Sequence, residues 1–342
     1  MALFLRIFLS IYLLAGALLT FLAFSLQPYA GDLTRIGGFA ENDFGWNLPQ
    51  EKFKQPLFTR ANSLAKYDRY YDVVVVGDSF SMNSEYGWQN YFVNAAGLSL
   101  LTFHQDDVDI NELLRAPQFR QYPPRLFIIE AVENGIQSCL LHFAKPAGIK
   151  ELSAFSDRIP IRPMHQAPEP FSRQTKIALR MDEPIHYIKM NVKRLYGSYK
   201  VFRYHLKRHN LFSCRRSDEI LIYYGDRWKD GISTEEWGKV EQRLADLQEA
   251  IESNGRTKMV TMIAPDKTTV YNKYIDNLEY PYRSLLKRLP GKREVRWAPL
   301  EKWLQERIDA GGVDVYLPND THWGYEGHKT AAAAILHQIT TW

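Results

Sequence analysis

The pattern of apolar and polar positions divides the chain into an N-terminal apolar segment and a body in which strand and helix patterns alternate. Residues 3–26 are almost wholly apolar, and Arg6 is the only charged residue among them. A stretch of this length can span a bilayer, which takes about 20 residues. Residues 1–28 are therefore predicted to form a transmembrane signal anchor.

From residue 71 onward, short β-branched runs alternate with amphipathic stretches. Strands are predicted at 72–76, 93–101, 125–130, 258–264 and 294–298. Helices are predicted at 84–92, 106–115, 234–253, 282–288, 300–308 and 325–340. The second strand is placed around Asn94, with Gly97 as a turn. This alternation predicts an α/β fold with a parallel sheet flanked by helices.

Two segments do not follow the alternation. Residues 29–70 lie between the apolar segment and the first strand and are assigned to a membrane-proximal segment. Residues 135–225 are punctuated by proline and are predicted to be an insertion or lid-like excursion, helical in part over 175–208. Residues 71–342, with this mid-chain insertion, are predicted to form the main folded domain.

Composition and charge narrow the class of protein. The chain has 342 residues, of which 45% are hydrophobic and 24% charged, as in ordinary globular proteins. The net charge of +4 is spread along the chain without a block of like charges. This argues against nucleic acid as the main partner.

The charges near the apolar segment predict its orientation. Arg6 and the amino terminus lie before most of the segment, and no comparable cluster follows it directly. The positive-inside rule then places the N-terminus in the cytoplasm and the body outside. A cleaved signal peptide is the alternative. The uncleaved anchor is favoured because the apolar run exceeds the ~7–15 residues of a signal h-region and no clear A-x-A site precedes Gly31.

Cys139 and Cys214 are the only two cysteines. They either pair in an oxidising compartment or remain buried thiols, and the sequence leaves both possibilities open. Neither a C-x-x-C nor an H-E-x-x-H pattern occurs. No metal site is therefore assigned.

The first candidate chemical group follows the first predicted strand, where Gly77-Asp78-Ser79 comes directly after 72–76. Ligands of open parallel sheets bind at the carboxyl ends of the strands. Ser79 is therefore a candidate nucleophile whose own backbone N–H, at the start of a helix, faces a developing oxyanion. The alternative is that Ser79 is only a turn or helix-capping residue.

The second candidate group is Asp320-Thr321-His322, just before the last predicted helix. Residues i and i+2 of an extended segment point to the same side, so Asp320 can hold one ring nitrogen of His322 while the other faces Ser79. A serine nucleophile needs such a base, and the base needs an orienting group. A surface Asp and His before a helix is the alternative.

These motifs resemble the SGNH-hydrolase superfamily, and more narrowly its alginate O-acetyltransferase branch, the AlgJ/AlgX-like proteins. The resemblance is carried by Gly-Asp-Ser-Phe-Ser at 77–81, Asn94 with Gly97, Pro265-Asp266-Lys267 with Tyr271, and Asp-Thr-His-Trp at 320–323 with Gly327. It implies that Ser79 becomes acetylated, that His322 is the base and that Asp320 orients it. A Glu-Arg pair associated with the third strand of that family reads Glu133-Asn134 here, so no arginine role is carried over.

Five further residues are assigned to oxyanion stabilisation or substrate positioning. Asn94 and Gly97 are expected to supply oxyanion donors, with a turn residue as the alternative for Asn94. Tyr271 and Lys267 are expected to position substrate or the surrounding loop. Trp323 either stacks on a sugar ring or anchors the core beside His322.

The resemblance implies an O-acetyltransferase that moves an acetyl group through a serine acyl-enzyme onto hydroxyls of a bacterial cell-surface or exopolysaccharide glycan. A carbohydrate O-acetyl esterase and a non-catalytic glycan-binding or assembly subunit are the alternatives. No cofactor is expected. A multipass membrane-bound O-acyltransferase is the expected partner that supplies the acetyl group. The expected location is the bacterial inner membrane, with a single span and the catalytic domain in the periplasm.

Overall fold

A computed structural model describes residues 1–63, 70–141, 166–173, 182–197, 200–226, 232–277, 284, 288 and 294–341. The strands, in chain order, are Gln50–Lys52 (β1), Thr59–Arg60 (β2), Val73–Gly77 (β3), Leu100–His104 (β4), Leu126–Val132 (β5), Glu169–Phe171 (β6), Val201–His205 (β7), Glu219–Tyr223 (β8) and Lys258–Ala264 (β9). The α-helices are Ala2–Ser25 (α1), Asp32–Gly37 (α2), Glu41–Phe44 (α3), Trp88–Ala96 (α4), Ile110–Arg115 (α5), Pro117–Gln121 (α6), Ile136–Leu141 (α7), Asp182–Leu195 (α8), Thr234–Glu252 (α9), Lys267–Tyr271 (α10), Leu300–Asp309 (α11) and Tyr325–Thr340 (α12).

The centre of the fold is a parallel sheet of five strands in the order β2-β4-β3-β5-β9. Side chains of β3 alternate between its faces, so that Val73 and Val75 join one apolar cluster while Val74 and Val76 join the other. The first cluster includes α4, α11 and α12, and the second includes α5, α7 and α9. Helices therefore cover both faces, which explains the unbroken valine run and confirms the predicted α/β class.

Helix α1 projects from the body, and nearly all of its side chains are exposed. Its mean hydropathy is 2.4 over the most apolar window, and its 24 residues are long enough to cross a membrane. Within the part of the chain that the structure describes, it is the one helix with these properties.

The segment that follows α1 is built into the same domain. Strand β2 extends the central sheet by pairing with β4, and β1 pairs with β6 of the mid-chain region. The backbone N–H of Leu33 donates to the carbonyl of Asn319 at 2.9 Å. Residues 29–63 therefore contact both the central sheet and the loop before α12.

The predicted second strand is wrong in its position. Asn94 lies in helix α4, and the strand begins only at Leu100. Gly97 adopts a left-handed conformation (φ 66°) and caps α4, since a residue without a Cβ accepts this conformation readily. The turn that the sequence indicated is therefore the end of a helix that precedes the strand.

Further elements differ from the sequence prediction or lie outside the described residues. The strand predicted at 294–298 is reduced to a single parallel bridge between Thr261 and Trp297. The helix predicted at 282–288 falls mostly outside the described residues. The helix predicted at 106–115 begins at Ile110, because Asp109 caps it by accepting from the N–H groups of Asn111 and Glu112.

The mid-chain region 135–225 contributes α7, β6, α8 and an antiparallel β7–β8 pair. Residues 142–165 and 174–181, which belong to the predicted lid, lie outside the described part of the chain. Cys139 and Cys214 are both free and belong to the apolar clusters on opposite sides of the sheet, so they do not pair.

Candidate active site

The turn after β3 brings Ser79 to the carboxyl edge of the sheet. Gly77 is required there because a Cβ would lie 2.6 Å from the Glu130 carboxylate and 2.7 Å from the Ser81 hydroxyl oxygen. Ser79 opens a short 3-10 turn over Ser79–Ser81 and is itself exposed. The hydroxyl is therefore accessible at the edge where parallel sheets bind their ligands.

Asp78 fixes this turn to the neighbouring strand. Its Oδ1 accepts from the N–H of Phe80 at 2.9 Å, and its Oδ2 accepts from the N–H of Val132 at 2.7 Å. Both carboxylate oxygens are thus used for structure. Asp78 therefore determines where Ser79 lies.

A buried acid, Glu130, lies beneath the turn. It accepts from the N–H of Asp78 at 3.0 Å and from the hydroxyl of Ser81 at 2.8 Å. Complete burial, reinforced by the charge of Asp78, raises the pKa of Glu130 well above its usual range. The sequence analysis did not single out Glu130, since it reads as an interior position of β5.

Ser79, His322 and Asp320 form one hydrogen-bonded chain. Nε2 of His322 lies 2.8 Å from Oγ of Ser79, and Nδ1 of His322 lies 2.7 Å from Oδ1 of Asp320. The N–H of His322 also donates to Asp320 Oδ1 at 3.1 Å. As the i, i+2 spacing predicts, the carboxylate of Asp320 and the imidazole of His322 lie on the same side of the loop.

The electrostatics of this chain suit proton transfer. Burial alone would raise the pKa of Asp320, but hydrogen bonds and charge from His322 lower it to about 2. Burial alone would lower the pKa of His322, yet the hydrogen bond and charge of Asp320 raise it above its usual value. Asp320 thus remains an anion that stabilises the imidazolium formed when His322 accepts a proton.

Aromatic packing holds the imidazole in place. The ring of Phe80 lies 4.8 Å from that of His322 and meets Trp323 edge-on at 4.7 Å. Trp323 is fully buried, so it anchors the core and offers no face to a sugar. Of the two roles that the sequence allowed for Trp323, the structure supports the core anchor.

The loop before Asp320 is held by a buried lysine. Nζ of Lys267 donates to the carbonyl oxygens of Leu317 at 2.6 Å and Pro318 at 3.4 Å. Burial lowers the pKa of Lys267 to about 7. Tyr271, one helical turn further on, is also fully buried and contacts the N–H of Tyr316 through its hydroxyl oxygen at 3.4 Å. Tyr271 is therefore a core residue, whereas Lys267 also reaches the site.

A pocket of about 250 Å³ opens beside the serine. Its walls include Asp32 and Ile36 of α2, Ser79, Asn134, Asp226, Asp266, Lys267 and His322. Asn134 lies just beyond the carboxyl end of β5, and its Nδ2 donates to Asp266 at 2.9 Å and Asp226 at 3.2 Å. It lies at the same edge of the sheet as Ser79, since β5 pairs directly with β3.

Asn94 and Gly97 are not in this site. Both precede β4, and the register pairs Leu100 with Val73, so they lie at the amino edge of the sheet. Ser79 follows Gly77 at the carboxyl edge, one strand length away. Asn94 instead accepts from the N–H of Gln166 at 3.2 Å. The oxyanion role predicted for Asn94 and Gly97 is wrong. These residues end helix α4 and lead into the amino end of β4, whereas a loop after a strand would have placed them at the carboxyl edge beside Ser79.

Asn134 is the functional candidate that the sequence analysis missed in that role. The signal that could have identified Asn134 is its position as a polar residue directly after a buried strand. The sequence analysis considers Glu133-Asn134 only as a pair that lacks the arginine of the family motif. Asn134 lines the pocket, and an amide N–H is the type of group that stabilises an oxyanion. To act as that donor, Asn134 would exchange one of its two carboxylate bonds, to Asp266 or Asp226, for a bond to the oxyanion.

Among the described residues, one group of side chains is close enough to share a metal ion, namely Asp32, Asp320 and His322. Both ring nitrogens of His322 are already engaged, Nδ1 with Asp320 and Nε2 with Ser79, so a metal held by all three residues would displace one of these contacts. The residues fit proton transfer better than metal binding, since Nε2 is directed at a hydroxyl.

Comparison with known proteins gives no relative for this chain. No protein-family model matches it, and neither a curated protein nor a solved structure does so. The site's own geometry therefore carries the functional argument.

Proposed function

We propose that this protein is a serine-dependent acyltransferase of the SGNH type, which moves an acetyl group onto a hydroxyl of a bacterial cell-surface or secreted glycan. The observation that carries the proposal is the hydrogen-bonded chain from Ser79 through His322 to Asp320, with contacts of 2.8 and 2.7 Å. The acetyl group and the glycan acceptor are inferred from the motif resemblance. The geometry supports the serine acyl transfer.

In the first half-reaction, His322 Nε2 takes the proton of Ser79 as Oγ attacks the carbonyl carbon of an acetyl donor. The oxyanion of the tetrahedral intermediate is stabilised by the Ser79 N–H and the Asn134 amide. When the carbon–leaving group bond breaks, the leaving group takes the proton from His322. An acetyl ester of Ser79 remains.

In the second half-reaction, His322 removes a proton from a sugar hydroxyl, whose oxygen attacks the acetyl carbon. The bond to Ser79 breaks, and Oγ takes back the proton from the imidazolium. The exposed position of Ser79 allows a bulky acceptor to reach the ester. If water attacks instead, the same residues act as a carbohydrate O-acetyl esterase.

Helix α1 supports a place at the membrane. It is long and apolar enough to span the bilayer, and the single charge Arg6 favours a cytoplasmic N-terminus with the domain in the periplasm. Free acetyl thioesters are cytoplasmic, so a multipass membrane-bound O-acyltransferase would deliver the acetyl group across the membrane. No tightly held cofactor is needed for the two half-reactions.

The test uses the full-length chain in detergent, incubated with a chromogenic acetyl ester with and without soluble oligosaccharides. Mass spectrometry follows acetyl-Ser79 and acetylated sugar. We expect both products in the wild type and in Ser84→Ala, and neither in Ser79→Ala. Acetate release that added oligosaccharide does not alter would favour the esterase. Turnover by Ser79→Ala equal to that of wild type would overturn the serine mechanism, and turnover by neither protein above the protein-free background would leave the non-catalytic glycan-binding role.

A further inference from the structure

Helix α8 has an inward face that is bonded to the segment after α1. Nε2 of His186 lies 2.9 Å from the carbonyl oxygen of Arg35, and Nδ2 of Asn191 donates to the carbonyl of Gly38 at 3.0 Å. The guanidinium of Arg194 stacks on Phe39 at 3.9 Å. These contacts hold α8 against α2 and the two residues that follow it.

The outward face of α8 is apolar and unusually exposed. Its apolar side chains are Ile185, Val192 and Leu195, with exposures of 53%, 44% and 86%, and Tyr196, directly after the helix, is 85% exposed. Positions 185, 189, 192 and 196 fall on one side of a helix, because their spacings of four, three and four residues return to the same face, and positions 193 and 195 flank that side. Lys189 and Lys193 are exposed beside these residues. We call these six residues the outward face.

Helix α8 also contacts the apolar helix α1. The end of α1 is fixed to the body, since Asn42 Nδ2 donates to the Ser25 carbonyl at 3.1 Å and Asn42 Oδ1 accepts from the Gln27 N–H at 2.9 Å. Arg173 donates to the Gln27 side chain at 2.6 Å. The body is therefore held in a defined orientation where α1 ends.

We infer that the outward face of α8 rests on the bilayer surface where α1 leaves it. Its apolar side chains would enter the interface, and Lys189 with Lys193 would meet anionic headgroups, as in interfacial amphipathic helices. The contact of α8 with the apolar helix α1 selects lipid as the occupant. The inference rests on the membrane anchoring contained in the proposed function and does not depend on the reaction catalysed.

This placement on the bilayer determines where the pocket meets its substrates. Asp32 follows Ser25 by seven residues, which span at most about 25 Å even when fully extended. The N–H of Asp32 donates to Asp320 at 3.3 Å. Ser79 and its pocket are therefore held close to the bilayer surface, and substrates would be presented there, such as a glycan still attached to lipid or an acetyl donor leaving a membrane protein.

Fluorescence quenching by lipids tests this placement in the full-length chain. Single cysteines are introduced by Leu14→Cys in α1, Leu195→Cys in the outward face and Ser253→Cys after α9, at the amino edge of the sheet. The two native cysteines are buried, so a polarity-sensitive fluorophore labels the introduced thiol. The labelled chains are reconstituted in phosphatidylcholine–phosphatidylglycerol vesicles that contain nitroxide-labelled lipids.

We expect strong quenching at positions 14 and 195, and quenching at position 253 several-fold lower. Lys189→Glu combined with Lys193→Glu should reduce quenching at position 195 while leaving Ser79-dependent ester turnover intact. Quenching at 14 with none at 195 would overturn the inference but keep the anchor, and a protein would then become the candidate occupant of the face. No quenching at 14 would overturn both, whereas failure of the reaction alone would leave these signals unchanged.

Discussion

The side-chain amide of Asn319 donates to the carboxylate of Glu41 at 2.6 Å, although the two residues are 278 positions apart. Both are fully buried. Because Asn319 directly precedes Asp320, this bond links the loop that orients His322 to the segment after α1. Gly31 packs on the same residue so closely that a Cβ would overlap the carbonyl oxygen of Asn319. The position of Asp320 thus depends on the N-terminal segment.

Removing Glu41 should loosen this loop. Glu41→Ala leaves Asn319 and the buried cation of Arg173, whose closest nitrogen lies 3.6 Å from Glu41, without their carboxylate. Breaking a buried pair of this kind costs about 3–5 kcal/mol. We expect a loss of that size in the free energy of unfolding, measured by denaturant titration, together with a lower kcat.

Glu41→Gln is the matched control. Burial raises the pKa of Glu41 above its usual value, so a neutral amide of the same shape should be tolerated better than alanine. Restoration of most of the stability and turnover would show that shape and hydrogen bonding hold the loop. Equal stability of wild type and Glu41→Ala would contradict the role of this bond.

Part of the site could be predicted from the sequence because the relevant signals are local. The run 73–76 is buried on both faces, so it indicates a parallel strand, and Ser79 must then lie beyond its carboxyl end. Asp320 and His322 share a side of their loop through i, i+2 spacing. The contact of Glu41 with Asn319 has no such signal, since it joins distant segments and follows no periodicity.

The misplacement of Asn94 has a local cause. The stretch before Gly97 contains apolar residues that fit either a strand or one face of a helix, and short apolar runs do not distinguish the two by pattern. Packing of α4 against α12 decides in favour of the helix. The oxyanion donor was consequently assigned to the wrong edge of the sheet.

The two asparagines give a direct test of this reassignment. Asn134→Ala should lower kcat about 10²–10³-fold with little change in KM, as expected for loss of a donor that acts mainly on the transition state. Asn94→Ala should leave kcat near the wild-type value. The measurement is steady-state hydrolysis of a chromogenic acetyl ester, and the reverse order of effects would restore the original assignment.

The pH dependence should report the ionisation of His322. Only the neutral imidazole can act as a base, and the pKa of His322 is raised above its usual value of about 6.5. The profile of kcat/KM should therefore rise with pH, with its inflection above 6.5. A rising limb centred below 6.5 would contradict the stabilisation of the imidazolium by Asp320.

Asp320→Asn should lower kcat by about 10⁴-fold, as removal of the orienting carboxylate does in other serine triads. Burial of His322 would then act without its counter-charge, so the rising limb should move to lower pH. Asp32→Asn is a suitable control because it keeps the backbone N–H that binds Asp320. We expect its effect on kcat to be far smaller than that of Asp320→Asn.

Lys267 should make stability depend on pH in a defined window. Its pKa is about 7 in the folded protein, because burial disfavours the ammonium, and 10.5 when exposed. Between these values the unfolded chain binds a proton that the folded chain does not, so stability should rise with pH above 7 and not change through this group below 7. The limiting slope is about 1.4 kcal/mol per pH unit. Denaturant titration at pH 7 and pH 9 measures it, and Lys267→Met should lose this component of the rise.

Comparison of this substitution with wild type above pH 7 separates the charge of Lys267 from its hydrogen bonds, because deprotonation removes only the charge and methionine removes both. Methionine leaves the carbonyl oxygens of Leu317 and Pro318 without the Nζ donor, and a lost donor to buried groups costs about 1–3 kcal/mol. Because a neutral amine still donates, wild-type kcat should not collapse above pH 7, whereas Lys267→Met should have a reduced kcat at both pH values. An identical pH dependence of stability in the two proteins would show that Lys267 does not lose its proton in the folded state near pH 7.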